Sequence, residues 1–70
     1  MINNPMTYEY GSKVWRNSQN EYHRDDGPAA EWFNGDKEWF INGLRHREDG
    51  PAVECADGNK YWFINGKLIT

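Results

Sequence analysis

The sequence lacks most of the features that stabilise or anchor a very small protein. Its single cysteine, Cys55, cannot form an internal disulfide, and its two histidines do not make a four-ligand metal cluster. No apolar run approaches the roughly 20 residues of a membrane span, and the amino terminus does not look like a signal peptide. We therefore expect a cytoplasmic protein with no metal, no cofactor and no membrane partner, and its one thiol fits a reducing compartment.

Charge and length narrow the possibilities further. The net charge of −3 disfavours nucleic-acid binding, which needs a clustered basic surface. Seventy residues predict one domain, spanning 1–70. A chain this short buries only roughly 60% of its unfolded surface. Aromatic residues make up 16% of the chain, so aromatic packing and self-association are the remaining sources of stability.

An internal duplication dominates the sequence. Residues 23–43 (HRDDGPAAEWFNGDKEWFING) align with residues 46–66 (HREDGPAVECADGNKYWFING), and 14 of these 21 positions are identical. A decayed copy precedes them, so we predict a degenerate repeat at 5–22 followed by repeats 23–45 and 46–68. Its first marker is Pro5, which precedes Pro28 by the same distance as Pro28 precedes Pro51. Its other markers, Gly11, Lys13 and Trp15, precede Gly35, Lys37 and Trp39 by one position more, which implies a one-residue slip.

Each unit has the sequence pattern of a β-hairpin. The predicted arms are 29–33 and 37–42, joined by a type I′ turn at Asn34-Gly35, and 52–56 and 60–65, joined at Asp57-Gly58. Asn42-Gly43 and Asn65-Gly66 predict a second turn in each unit. No segment between the glycines is long enough for a stable helix. The predicted fold is all-β, with about three tandem antiparallel hairpins, one for each repeat, in a curved single-layer sheet.

Apolar residues that recur with the period are the predicted core. Trp15, Trp39 and Trp62 occur once per unit and would form an aromatic ladder across neighbouring hairpins. The same ladder could instead stack nucleic-acid bases. The remaining predicted core positions are Phe40, Phe63, Ile41 and Ile64.

The pairs His23-Arg24 and His46-Arg47 allow two interpretations. They could bind phosphate or take part in catalysis. Alternatively, each arginine pairs with a carboxylate of its own repeat and each histidine caps a turn; recurrence in register with the turn glycines favours this structural role. The candidate carboxylates are Asp26 and Asp49, or Glu31 and Glu54. No Ser-His-Asp or Cys-His arrangement accompanies them, so we predict no enzymatic activity. Cys55 replaces Trp32 of the preceding repeat and is expected to be packed and inert.

The phrase Trp-Phe-Ile-Asn-Gly, followed by His-Arg-x-Asp-Gly-Pro-Ala, resembles the variant MORN repeats of small bacterial and phage proteins. The resemblance covers residues 23–67 well and 5–22 weakly. It implies a ribbon of hairpins stacked in series that serves as a non-catalytic binding scaffold. The repeated Tyr-x-Gly-x-Trp opening of the common eukaryotic repeats is missing here, so their membrane-lipid association is not implied.

Residues shared by the two repeats are those that the unit needs in order to fold. Positions that differ between the repeats are not needed for folding, so they can contact a partner. Trp32 and Phe33 could contact a partner or could fill the gap beneath the degenerate unit. Aromatic residues and arginines are the usual anchors of interfaces. The predicted binding residues are Trp32, Phe33, Tyr61, Tyr22, Arg24, Arg45 and Arg47.

These residues lead to three functional hypotheses. The leading one is an interaction module, of phage type by resemblance, that binds and inhibits a host protein, for example one with a defence role. The alternatives are a sponge for a nucleotide-like signalling molecule and a structural particle component. Because an open ribbon leaves edge strands bare and the tail Lys67-Leu68-Ile69-Thr70 has no hairpin partner, we also predict a homodimer.

Overall fold

The computed structural model describes residues 6–69. Pro5, where the degenerate repeat was predicted to begin, and Thr70, the last residue of the predicted tail, lie outside the described residues. Residues 6–69 contain ten short strands and no helix, and every pairing is antiparallel. The predicted all-β fold of tandem antiparallel hairpins is confirmed. The strands are β1 (Thr7–Glu9), β2 (Ser12–Val14), β3 (Ala30–Glu31), β4 (Lys37–Glu38), β5 (Phe40–Ile41), β6 (Leu44–Arg45), β7 (Val53–Glu54), β8 (Lys60–Tyr61), β9 (Phe63–Ile64) and β10 (Lys67–Leu68).

Six of these strands form one open sheet in the order β1-β2-β3-β4-β7-β8. The hairpins β1-β2, β3-β4 and β7-β8 are its three repeating units, and β1 and β8 are its edges. The other four strands form two separate hairpins, β5-β6 and β9-β10. Cross-strand partners share a face, so one face of the sheet carries a row in which lysine and glutamate alternate after an initial tyrosine. In order of pairing, this row is Tyr8, Lys13, Glu31, Lys37, Glu54 and Lys60.

Each predicted second arm is divided between two sheets at a tryptophan. Within the predicted arm 37–42, Trp39 separates β4 from β5. The Trp39 amide donates to the Ala52 carbonyl at 2.7 Å, across the main sheet, while the Trp39 carbonyl accepts from the His46 amide at 3.1 Å. Trp39 therefore holds the main sheet on one side and the return of the chain on the other. Trp62 separates β8 from β9 in the same way.

The turns follow the prediction at some positions and differ at others. Asn42-Gly43 (φ 48° and 82°) and Asn65-Gly66 (φ 49° and 81°) have the two positive φ angles of a type I′ turn. The predicted type I′ turns at Asn34-Gly35 and Asp57-Gly58 are wrong, because only the glycine of each pair has positive φ. The Gly35 amide instead donates to the Trp32 carbonyl at 2.9 Å. These loops are one residue longer than a type I′ hairpin allows, so a type I turn precedes a left-handed glycine.

The slip in the degenerate repeat is located in its turns. Tyr8 pairs with Lys13 as Glu31 pairs with Lys37, which places one residue fewer in the first turn. That turn is Tyr10-Gly11, a two-residue type I′ turn (φ 53° and 83°). The following loop has one residue more than its equivalent in the next repeat. Arg16 pairs with Tyr22, six residues later, whereas the equivalent Phe40 pairs with Arg45, five residues later. One deletion and one insertion restore the period of the later repeats.

The buried core is smaller than predicted. The buried apolar residues of the described chain are Val14, Ala29, Ala30, Phe40 and Ala52. Of the predicted core, only Phe40 belongs to this set; Trp15, Trp39, Ile41, Phe63 and Ile64 are half-buried, and Trp62 is 38% exposed.

Candidate interaction site

Arginine, and not a second tryptophan, stacks on the repeated tryptophans. The Arg24 guanidinium carbon lies 3.8 Å from the ring centroid of Trp15, and that of Arg47 lies 3.9 Å from the centroid of Trp39. No ring contact joins the repeated tryptophans within residues 6–69. The predicted ladder is thus replaced by cation–π pairs, one at each of two successive repeats.

The same arginines pair with the carboxylates predicted from the sequence. Arg47 binds Asp49 and Glu54, both at 3.1 Å, and donates to the Pro51 carbonyl at 3.0 Å. Arg24 binds Asp26 at 3.1 Å and lies 3.6 Å from Glu31. Since the guanidinium donors of Arg24 and Arg47 serve the fold, these residues have a structural role.

The histidines act as caps, as the structural interpretation expected. His23 Nδ1 accepts from the Asn42 amide at 2.9 Å, and His46 Nδ1 accepts from the Asn65 amide at 3.0 Å. Each bond ties the start of a repeat to the type I′ turn at its end. On the other side of each ring, Nε2 lies 3.1 Å from a carboxylate, Asp25 or Glu48.

A cleft of about 630 Å³ lies between the His-Arg-x-Asp-Gly-Pro segments of the two full repeats. Trp39 and Ile41 line it together with residues 24–28 and 46–49. The carboxylates point outward: the side chains of Glu48 and Asp49 are 82% and 87% exposed, whereas that of Arg47 is 23% exposed. The rim is therefore acidic, and it opposes binding of a phosphate group.

A polar aromatic cluster lies on the other face of the sheet. Trp32 Nε1 donates to Glu38 at 2.8 Å, and Arg45 Nε donates to the same carboxylate at 2.8 Å. The ring of Tyr22 meets Trp32 edge-on at 6.1 Å and lies 5.2 Å from Phe40. Arg45 also lies within 5.6 Å of the rings of Phe40 and Phe63. Trp32 and Tyr22 consequently have partners within the chain, whereas Arg45 is paired with Glu38 but remains 45% exposed.

Two aromatic residues of the predicted binding set are exposed. Phe33 is 80% exposed at the turn between β3 and β4, where its amide donates to Ser12 Oγ at 2.8 Å. Tyr61 is 41% exposed on the edge strand β8.

The structure exposes further apolar residues that the predicted binding set missed. These residues lie on an edge strand, at a turn or in and around the last hairpin. They are Tyr8, Tyr10, Leu44, Trp62, Leu68 and Ile69. Tyr10 has a positive φ, as Asn42 and Asn65 do in the type I′ turns of the later repeats.

Cys55 is partly buried and unpaired. Desolvation raises the pKa of its thiol, and the negative charges of Asp36, Asp57 and Glu38 add to the shift. A raised pKa lowers the thiolate fraction at neutral pH, which is the condition for an unreactive cysteine.

Among residues 6–69 no cluster of three or more His, Cys, Asp or Glu side chains is arranged to hold a metal ion. Nor does this part of the chain contain a helix long and apolar enough to cross a membrane. Comparison of the chain with protein-family models, with curated proteins and with solved structures found no match.

Proposed function

We propose that this chain is a non-enzymatic interaction module that binds a protein partner through exposed apolar side chains. The observation that carries the proposal is the distribution of those side chains. Within residues 6–69 the core consists of three alanines with Val14 and Phe40, whereas eight large hydrophobic residues are exposed. Such residues are costly to leave in water when the core is this small, and retained apolar surface is typical of a binding site.

The exposed residues lie in two regions. Near the first turns, the β-carbon of Phe33 comes within 3.8 Å of a β-carbon built on Gly11, which places Phe33 beside the Tyr10-Gly11 turn. At the other end, Tyr61, Trp62, Leu68 and Ile69 belong to β8 or to the hairpin that follows it. Phe33 and Tyr61 are the members of the predicted binding set that remain available in these regions.

The finer form of the proposal is that the partner is a host protein whose action the chain blocks by covering its surface. This form is supported by the resemblance of the repeats to phage-type MORN repeats and by the small size of the scaffold. The nucleotide-sponge alternative finds less support, because Arg24 and Arg47 are already paired with carboxylates and the cleft has an acidic rim.

Cross-linking and affinity capture from cells that express the tagged chain test the proposal. We expect protein partners that are recovered with the native chain and lost with a Phe33→Ser, Tyr61→Ser double variant. Gln19→Ala is the control, since Gln19 is an exposed polar residue in a different turn and belongs to neither of the two apolar regions. Equal recovery by the double variant would contradict the proposal, and a stoichiometric nucleotide released on denaturation would favour the sponge.

A further inference from the structure

The two internal junctions between hairpin units are built from the same three contacts. At the first, the Trp15 amide donates to the Ala29 carbonyl at 2.8 Å, and at the second the Trp39 amide donates to Ala52 at 2.7 Å. In both, an arginine of the following unit stacks on that tryptophan. In both, a lysine faces a glutamate of the following unit across the strands: Lys13 with Glu31, and Lys37 with Glu54.

The strand β8 and the tryptophan after it supply the lysine and tryptophan of a third junction, but not the arginine and glutamate that a following unit would add. Lys60 and Trp62 occupy the same positions in the last repeat as Lys37 and Trp39 in the one before it. The Ile69 amide donates to the Trp62 carbonyl at 2.7 Å, which reproduces the bond from His46 to Trp39. Beyond that bond the match ends, because position 70 carries threonine where the repeat requires arginine.

Residues 6–69 do not supply the groups that would complete the remaining contacts of this junction. In that part of the chain no strand pairs with the outer edge of β8, no carbonyl accepts the Trp62 amide and no cation covers the Trp62 ring. Trp39, at the equivalent place, is half-buried, whereas Trp62 is 38% exposed. The exposed tryptophan, lysine and backbone edge define a specific vacancy in the repeat pattern.

We propose that the open edge of β8 binds, in antiparallel register, a strand of the partner protein that continues this pattern. The partner strand carries a glutamate that faces Lys60 and, seven residues before it, an arginine that stacks on Trp62. The spacing is that of Arg24 to Glu31 and of Arg47 to Glu54. Strand addition of this kind takes its affinity from main-chain hydrogen bonds and its specificity from side chains. The inference rests on the proposed function and names the partner's chemistry.

A second copy of the chain does not supply this strand from its own open edge. On β1, Tyr8 occupies the place of Glu31, since it pairs with Lys13 as Glu31 pairs with Lys37. Seven residues before Tyr8 the sequence has Met1 in place of arginine. Head-to-tail stacking of copies would place no carboxylate opposite Lys60 and no cation over Trp62 at the new junction, so the occupant is a different protein.

The test uses a peptide with the sequence of residues 47–54 (REDGPAVE), acetylated and amidated, added to the full chain labelled with ¹⁵N. We expect saturable shifts of the backbone amides of Tyr61 and Trp62. Trp62→Ala, and separately alanine in place of the peptide's arginine, should each weaken binding about tenfold, the usual effect of one cation–π pair. The two changes together should cost little more than either alone.

A charge-reversal experiment tests the same inference without requiring that the Trp62→Ala variant folds. The peptide with lysine in place of its last glutamate should bind the native chain more weakly, and Lys60→Glu should restore its binding. Equal affinity for both peptides, shifts confined to other strands, or a second copy already pairing with β8 would each overturn the inference. If the peptide does not bind while the Phe33 and Tyr61 variants still lose the captured partner, the proposed function stands and this inference fails.

Discussion

The guanidinium carbon of Arg47 lies 3.9 Å from the centre of the Trp39 ring, and the two residues come from opposite sides of a junction between repeats. Arg47 also reaches Asp49, Glu54 and the Pro51 carbonyl. One side chain thus joins the start of a repeat, its first strand and the preceding tryptophan. Loss of the Arg47 side chain should therefore weaken all of these contacts at once.

Arg47→Ala should lower the free energy of unfolding by about 2 kcal/mol, because it removes a cation–π pair and charge-assisted hydrogen bonds from a half-buried site. Arg47→Lys should recover less than half of the loss, since an ammonium group lacks the planar fork that serves several acceptors. The measurement is urea unfolding, with Lys67→Ala as an exposed control. A midpoint for Arg47→Ala equal to that of the control would contradict a structural role for the arginine.

Trp39 and Trp62 are equivalent in the sequence but not in the structure. Trp39→Ala should destabilise the chain by about 3 kcal/mol, the lower end for truncation of a large aromatic residue. Trp62→Ala should cost about 1 kcal/mol or less, because the residue is 38% exposed and no arginine within residues 6–69 stacks on its ring. Thermal unfolding of both variants decides the matter. Equal losses would show that Trp62 is packed as Trp39 is.

Trp32 and Glu38 are hydrogen-bonded to each other, and both residues change in the next repeat. Where Trp32 becomes Cys55, Glu38 becomes Tyr61, so the carboxylate disappears together with the indole donor that it accepts from. A double-mutant cycle with Trp32→Phe and Glu38→Gln should therefore give a coupling energy of about 1 kcal/mol. Additive losses, measured by urea unfolding, would show that the hydrogen bond contributes nothing to stability.

Cys55 should react slowly with iodoacetamide at neutral pH. Desolvation and the neighbouring carboxylates raise the pKa of its thiol, so less thiolate is present in the folded chain than in the unfolded one. The labelling rate should increase on unfolding in urea and, in the folded chain, on raising the pH. A folded-state rate at neutral pH that matches the rate of the unfolded chain would contradict this prediction.

The homodimer remains a prediction. Leu68 and Ile69 are 60% and 61% exposed, and two-fold pairing of the β10 region would bury both without using the edge of β8. Sedimentation equilibrium at micromolar concentration should give twice the chain mass, and Leu68→Ser should shift the equilibrium towards the monomer. A mass of 8.3 kDa at every concentration would exclude the dimer.

The sequence predicts the hairpin repeats well because their signals are local. Glycine spacing and Asn-Gly turns fix the reversals at 42–43 and 65–66, and duplication fixes the units. The pairing of Arg24 and Arg47 with carboxylates was also predictable, since all partners recur at fixed distances along the chain. These features depend on residues close to one another in sequence.

The residues that pack between strands were harder to predict. A recurring tryptophan is compatible with either ring-on-ring stacking or an arginine cover, and only the path of the chain after residue 43 brings Arg47 over Trp39. The small core was also hard to predict, because composition does not single out its buried alanines, Ala29, Ala30 and Ala52. The candidate site at β8 could not be predicted, because the sequence alone does not show which side of which strand has no partner in the sheet.

Amide hydrogen exchange at Trp62, compared with Trp39, tests the central claim most directly. The Trp39 amide is bonded to the Ala52 carbonyl and should exchange slowly in the free chain, whereas the Trp62 amide has no acceptor within residues 6–69 and should exchange quickly. On saturation with the peptide of residues 47–54, the Trp62 amide should become protected while the rate at Trp39 changes little. Protection of Trp62 in the free chain, or rapid exchange that persists with the peptide bound, would contradict the claim that β8 is an open junction completed by a partner strand.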